Sequence, residues 1–257
     1  MRKSSLNFSS SESDRGALEH LGFVKLQGIF SSPQVANARA LVAANADLLY
    51  QTRSTPNSLH LAGFHRYPEL EPLHELLTQN YRITKLLAEA AGGRVRTIGL
   101  SDITIDRSQE WHKDLLRGRF SGHLSSNFPC HDHNGTAYKV ILYLQDSSTL
   151  KISKGSHKID VNLDSDTFAI PEDPSTIHQV STKIGDVVII DICLSHRGSE
   201  ESAVLQPREW NDKRILISTV FGRDGATLTN QMELGNAFRL DDWLTRNSGR
   251  QHSGPMP

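Results

Sequence analysis

After Gly92-Gly93 the chain changes its hydrophobic period, and that change limits the folds open to it. Before this point apolar residues recur at helical steps. Within 73–91, Leu73, Leu76, Leu77, Ile83, Leu86 and Leu87 fall three and four residues apart, which predicts an amphipathic helix stopped by the paired glycines. Ser31-Ser32-Pro33 predicts a helix start over 34–49, with Ser as cap and Pro in the first turn. The run 23–26 reads as a short strand, and 51–72, with three prolines, as a loop. Beyond Gly93 the pattern is different. Residues 95–106 alternate as a half-buried strand does, and 138–144, 150–152, 167–170, 187–192 and 215–221 are further β-rich runs. Gly155, Pro171, Pro174, Gly185-Asp186 and Gly222 separate them. Many short strands with such punctuation predict a sandwich or barrel, here braced by the helical N-terminal third around one shared core.

At 257 residues the chain suits one large domain, expected over 17–245. The Ser-rich stretch 1–16 reads as a flexible arm and 246–257 as a loose tail. Acidic and basic residues nearly balance, at a net charge of −1, so no overall field favours nucleic acid or an anionic membrane. No stretch approaches the ~18 uninterrupted apolar residues of a membrane span, and the N-terminus lacks the apolar run of a secretion signal. Two cysteines, Cys130 and Cys193, build no disulfide framework. A soluble, cytoplasmic protein is expected, with a small-molecule substrate and neither nucleic acid nor membrane as partner.

Trp111-His112-Lys113-Asp114 contains the chain's single His-x-Asp. In an extended segment residues i and i+2 share a face, so His112 and Asp114 can present a nitrogen and an oxygen to one ion. A second histidine would complete the two-His-one-carboxylate arrangement of non-haem Fe(II) oxygenases, which leaves positions open for cosubstrate and O2. Chance alone supplies about one His-x-Asp in a chain of this composition, so the pair needs context. Residues 183–199 supply it: a Gly185-Asp186 turn, a strongly apolar strand, then His196 at its end. The alternatives are a solvated loop pair at 112–114 and a satisfied core histidine at 196.

Taken in order, these blocks resemble the phytanoyl-CoA dioxygenase family of Fe(II)/2-oxoglutarate-dependent oxygenases. Residues 18–42 look like its opening of Gly-aromatic-Val, strand and helix. Residues 111–114 match its Trp-His-x-Asp. Residues 138–146 with Gly155-Ser156-His157 resemble its strand, Leu-x-Asp turn and Pro-Gly-Ser-His, and 185–198 resemble its Gly-Asp strand ending in the distal His-x-Gly. The resemblance spans about 17–222. It implies a mainly β fold with flanking helices, a double-stranded β-helix (jelly roll, cupin-like). It further implies Fe(II) on His112, Asp114 and His196, with 2-oxoglutarate and O2 as cosubstrates. The family also places an arginine after the distal His, whose fork suits the far carboxylate of 2-oxoglutarate. Arg214, directly before the strand 215–221, is preferred; Arg208 lies closer to the usual spacing, and choosing Arg214 means a longer loop over 200–213. Lys139 either faces the barrel interior and touches 2-oxoglutarate or points outward into solvent. The expected reaction is hydroxylation of an unactivated C–H of a small metabolite, with desaturation, epoxidation or cyclisation also open. Asp114 argues against halogenation, since related halogenases have Gly or Ala there.

Lys154 stands where the family often has Pro, and His157 reads as a structural loop residue. His131-Asp132-His133 reads as a solvated loop or a lining of the substrate entrance, and Arg117, Arg119 and His123 as a solvated loop or a contact for an anionic substrate. Cys193 reads as a small core residue. Two rival functions remain on the same barrel: a cupin-type metal-dependent isomerase and a catalytically silent binding protein.

Overall fold

The computed structural model describes residues 10–51, 57–165, 169–200 and 208–247. Helix α1 (Ser10–Leu21) leads directly into strand β1 (Phe23–Leu26). The arm expected over 1–16 is therefore helical from Ser10 onward; residues 1–9 lie outside the described residues. Leu18 of this helix is 1% exposed and packs into the main core, a tertiary gain that the polar composition around it does not reveal. Helix α2 (Ser32–Ala44) begins as expected. Ser31 and Gln34 form a reciprocal capping box, with Pro in the first turn.

Strands β2 (Tyr50–Gln51) and β3 (Leu59–Ala62) follow. β3 lies within the stretch expected as loop; it is too short to show a period, and its identity comes from pairing with its neighbour. The single helix expected over 73–91 is two, α3 (Glu71–Thr78) and α4 (Tyr81–Ala91). The break falls at Asn80, whose side-chain oxygen accepts from the Arg82 and Ile83 amides and caps the second helix. α4 stops at Gly92, at φ 65°.

The β-rich part runs β4 (Val95–Ile105), β5 (Asn127–Phe128), the one-turn α5 (Cys130–His133), β6 (Ala137–Tyr143), β7 (Ser147–Ser153) and β8 (Val161–Asn162). It continues through β9 (Ile177–Thr182), β10 (Val187–Asp191), β11 (His196–Arg197) and β12 (Ile215–Arg223). Of the run expected at 167–170, residues 167 and 168 lie outside the described residues, and Ala169 and Ile170 sit in a turn and bend. The chain then forms α6 (Thr227–Asn247), a helix with no apolar period in the sequence to announce it. Its apolar residues are sparse because part of its buried face is small or polar: Thr229, Gly235 and Asn236. The expected tail is helical through Asn247; 248–257 lie outside the described residues.

The large sheet has the antiparallel order β1-β10-β6-β12-β4-β3-β2, and β11-β7-β9 forms a second sheet. Together they make a double-stranded β-helix. The period of two along β6 and β10 sorts their side chains. Val140, Leu142, Val187 and Ile189 join the helices in the main core. Ile141, Tyr143, Val188 and Ile190 face the second sheet, against Leu150, Ile152 and Val180. A third cluster, with Leu115, Leu116, Cys130, Cys193 and Met232, lies under α6. Among the described residues no helix is long and apolar enough to cross a membrane.

Candidate metal centre

The two halves of the candidate triad meet through backbone pairing. His112 and His196 form an isolated antiparallel bridge, each amide donating to the other's carbonyl at 2.9 Å. The Asp114 amide donates to Ile192 O at 3.1 Å, so the 112–114 segment lies extended along the end of β10. Extended geometry puts His112 and Asp114 on one face. Ligand atoms of His112, Asp114 and His196 all lie within 4.8 Å of one another, and theirs is the one such group among the described residues.

Hydrogen bonding sets the tautomer of both imidazoles. Nδ1 of His112 lies 2.8 Å from Glu110 O, and Nδ1 of His196 lies 2.9 Å from Leu194 O. A carbonyl only accepts, so each Nδ1 carries a proton, and in the neutral ring Nε2 keeps its lone pair. Asp114 Oδ2 is 3.3 Å from His196 Nε2 and has no hydrogen-bond partner, although it is buried. Lone pairs thus converge with no proton to share between Asp114 and His196. A buried, orphaned carboxylate oxygen beside two imidazole nitrogens fits a cation. Two imidazoles and a carboxylate, without thiolate, suit Fe(II) or a similar divalent transition metal.

Charge supports the same state. Burial raises the Asp114 carboxyl, but the Lys139 ammonium, joined by the His196 ring whenever that ring is protonated, outweighs it and holds the group well below the usual carboxylate range. Burial, with the neighbouring His196, pushes the His112 imidazole well below its ordinary value, so it is neutral at pH 7. Lys139 faces the interior: its Nζ donates to Asp114 Oδ1 at 2.8 Å. Gln109 also reaches the centre, its side-chain amide 2.6 Å from His112 Nε2. Nothing in the sequence marked Gln109, which sits in a polar stretch without period.

A cavity of about 190 Å³ opens on the triad, lined also by Lys139, Tyr143, Arg117 and Arg239. A smaller recess adjoins it, lined by Tyr143, Thr149 and Arg214. Arg214 faces this recess while its backbone amide donates to Asp106 Oδ1 at 3.1 Å. Arg208 pairs with the same Asp106 oxygen at 3.1 Å and lines neither cavity. The other candidates lie elsewhere. His131 is an exposed partner of Asp160, and His133 stacks on Phe128. His157 is buried, its Nε2 donating to Glu19 O at 3.2 Å. Arg119 pairs with Asp242, and His123 is exposed. Cys130 and Cys193 are free, fully buried thiols.

No protein-family model and no curated protein sequence matches the chain. Solved structures do. SnoN, a non-heme alpha-ketoglutarate-dependent epimerase from nogalamycin biosynthesis, is 18% identical at a TM-score of 0.62 and covers 83% of this chain and 81% of its own. SnoK, a non-heme alpha-ketoglutarate-dependent carbocyclase from the same biosynthesis, is 17% identical at 0.57, covering 84% and 85%. HygX from Streptomyces hygroscopicus, solved with nickel, 2-oxoglutarate and hygromycin B bound, is 17% identical at 0.58, covering 83% and 87%. At these identities the likeness establishes the fold: this chain shares the double-stranded β-helix on which those enzymes are built.

Proposed function

We propose that this chain is an Fe(II)- and 2-oxoglutarate-dependent oxygenase that hydroxylates an unactivated C–H of a small metabolite. The observation that carries the reading is the convergence of His112, Asp114 and His196, with Asp114 Oδ2 buried and unpaired among them. The ordered sequence blocks shared with the phytanoyl-CoA dioxygenase family support it. So do the fold neighbours, of which SnoN binds Fe3+ and alpha ketoglutarate in one structure and HygX nickel and 2-oxoglutarate in another. Two free, buried cysteines fit a reducing, cytoplasmic setting.

In this reading His112 and His196 offer Nε2 and Asp114 offers Oδ2 to the metal. Bound together, iron, 2-oxoglutarate and O2 supply an oxidant strong enough for a C–H bond, releasing succinate and CO2. The protein's part is orientation. Glu110 O and Leu194 O hold the two imidazoles in one tautomer. Lys139 holds Oδ1 of the carboxylate, which would leave Oδ2 for the ion, and its positive charge would favour an anionic cosubstrate in the same cavity. Arg214, with Tyr143 and Thr149 in its recess, takes the far carboxylate. The apolar side chains Ile141, Leu150 and Leu216 line the cavity and limit water around the reacting atoms.

The fold neighbours include an epimerase and a carbocyclase, so the assay must not presuppose the product. Labelled 2-oxoglutarate is supplied with Fe(II), and succinate release is followed across a metabolite panel with mass analysis of products. Substrate-stimulated succinate release with a gain of one oxygen is expected. A protein that binds Fe(II) anaerobically but has no affinity for 2-oxoglutarate would instead be a cupin-type isomerase or a silent binding protein.

A further inference from the structure

The wall formed by β3, β4 and α6 carries polar groups that the metal chemistry does not use. Arg239 of α6 and Asp102 of β4 form a two-pronged ion pair, with Nη2 to Oδ1 at 2.9 Å and Nη1 to Oδ2 at 3.3 Å. Both residues line the cavity that contains the triad, and their side chains keep 19% and 21% of their surface. His60 of β3 lies beside them, its Nε2 3.4 Å from Asp102 Oδ2. The arginine is fixed before any ligand arrives: its Nε donates to Asn236 Oδ1 at 3.0 Å, and Asn236 Nδ2 donates to Ile98 O at 3.3 Å. Leu100 and Leu115 add apolar surface to the same cavity.

This chemistry selects among ligands. A hydrocarbon would leave a carboxylate and a guanidinium facing it unsolvated. A lone anion meets Asp102, and a lone cation meets Arg239. Arg107 and Arg117 also line the cavity, but each is engaged within the protein. Burial pushes the His60 imidazole down to about 4, so it adds no charge at pH 7. The Asp102, Arg239 and His60 cluster is thus neutral as a unit, with strong donors beside strong acceptors, next to apolar surface. A hydroxyl both donates and accepts, and neighbouring hydroxyls on a ring can meet both halves of the pair while the C–H face of the ring lies on leucine.

We propose that Asp102 and Arg239, with His60 beside them, form the recognition wall for a neutral, hydroxyl-bearing ring, a sugar or cyclitol unit of the substrate. The inference rests on the oxygenase reading for what happens to that unit, but not for its binding.

Saturation-transfer NMR tests it. The full chain, with Fe(II) and 2-oxoglutarate under anaerobic conditions and again without either, is titrated with methyl glucoside, myo-inositol, decanoate and glycerol 3-phosphate. At least one of the two polyols binds at millimolar concentration and better than decanoate or the phosphate. Asp102→Asn and Arg239→Gln each weaken that binding by about tenfold or more, as loss of a hydrogen bond to a charged group does. Arg239→Lys, which keeps the charge pair but loses the fork, also weakens it and guards against misfolding of the other variants. Affinity for 2-oxoglutarate stays at the wild-type value in all three. The proposal is overturned if neither polyol binds, if decanoate or the phosphate binds better, or if polyol binding ignores the three substitutions. Failure of the oxygenase reading looks different: no 2-oxoglutarate affinity in the same samples, with polyol binding to the metal-free protein intact.

Discussion

Asp114 divides its two oxygens between different tasks, Oδ1 accepting from Lys139 and Oδ2 lying 3.3 Å from His196 Nε2 without a partner. Lys139→Met strands Oδ1 in a buried site. Its effect is expected to be a loss of metal affinity of about 10–100-fold, the range seen when the partner of a metal ligand is removed. Lys139→Arg should recover part of it. Anaerobic Co(II) titration reads both, and unchanged affinity in the Met variant would refute the assigned role. The two arginines on Asp106 separate in a similar way. Arg214→Gln should weaken 2-oxoglutarate binding by about 10–100-fold, the loss of a charged hydrogen-bonding partner, whereas Arg208→Gln leaves it within about threefold, because Arg208 lines neither cavity. The reverse ranking would move the anchor to Arg208. At this scale His-x-Asp was readable because both residues lie on one extended segment. Gln109 and Arg239 were not, since one polar side chain among many announces nothing until a neighbour is known.

Elements are held in place here by glycines that admit close backbone approach. Gly185 sits at φ 89°, and a Cβ there would fall 1.9 Å from Phe30 O, across a turn that also receives the Phe30 amide. Gly185→Ala should cost about 3 kcal/mol or more in urea unfolding, from backbone strain and overlap together. In α6, a Cβ on Gly235 would meet Leu116 Cδ1 at 2.3 Å and Phe120 O at 2.4 Å. Gly235→Ala should therefore lift the helix, cost roughly 2 kcal/mol and leave Fe(II) affinity intact, since no triad residue is on α6. A loss of metal binding equal to that in His196→Ala would show the helix to be part of the metal centre itself. Elements with their own chemical signals were legible: the capped start of α2, the apolar run of β10, the glycine stop of α4. β3 and α6 were not. A four-residue strand has no period to read, and a helix that buries Gly, Thr and Asn has no apolar stripe.

Across the whole molecule, buried imidazoles set the response to acid. Burial pushes His60, His65 and His157 from near 6.5 down to about 4. Between these values the unfolded chain binds protons that the native state refuses, so stability falls as pH drops through this window. Asp102, held low by Arg239 and His60 against the upward push of burial, acts in the same direction at lower pH. Asp191 opposes them: burial raises it to about 6, so its own contribution to stability decreases as pH rises from 3.8 to 6. With His74 and His112 also lowered by burial, the depressed imidazoles outnumber Asp191 and predict a melting temperature that declines from pH 7 to pH 4 in calorimetry of the metal-free protein. A flat or rising profile would contradict the burial of these histidines.

Local physics sufficed for the elements that carry their own signals, for the carboxylate paired with its histidine, and for the apolar strand that delivers His196. Each depends on residues close in the chain, where period and turn chemistry act directly. Whether His196 meets His112, whether Lys139 turns inward, and what covers the cavity were settled only by tertiary pairing. Those contacts join residues far apart in the chain, and their free energy comes from burying surfaces together, which leaves no mark on either segment alone.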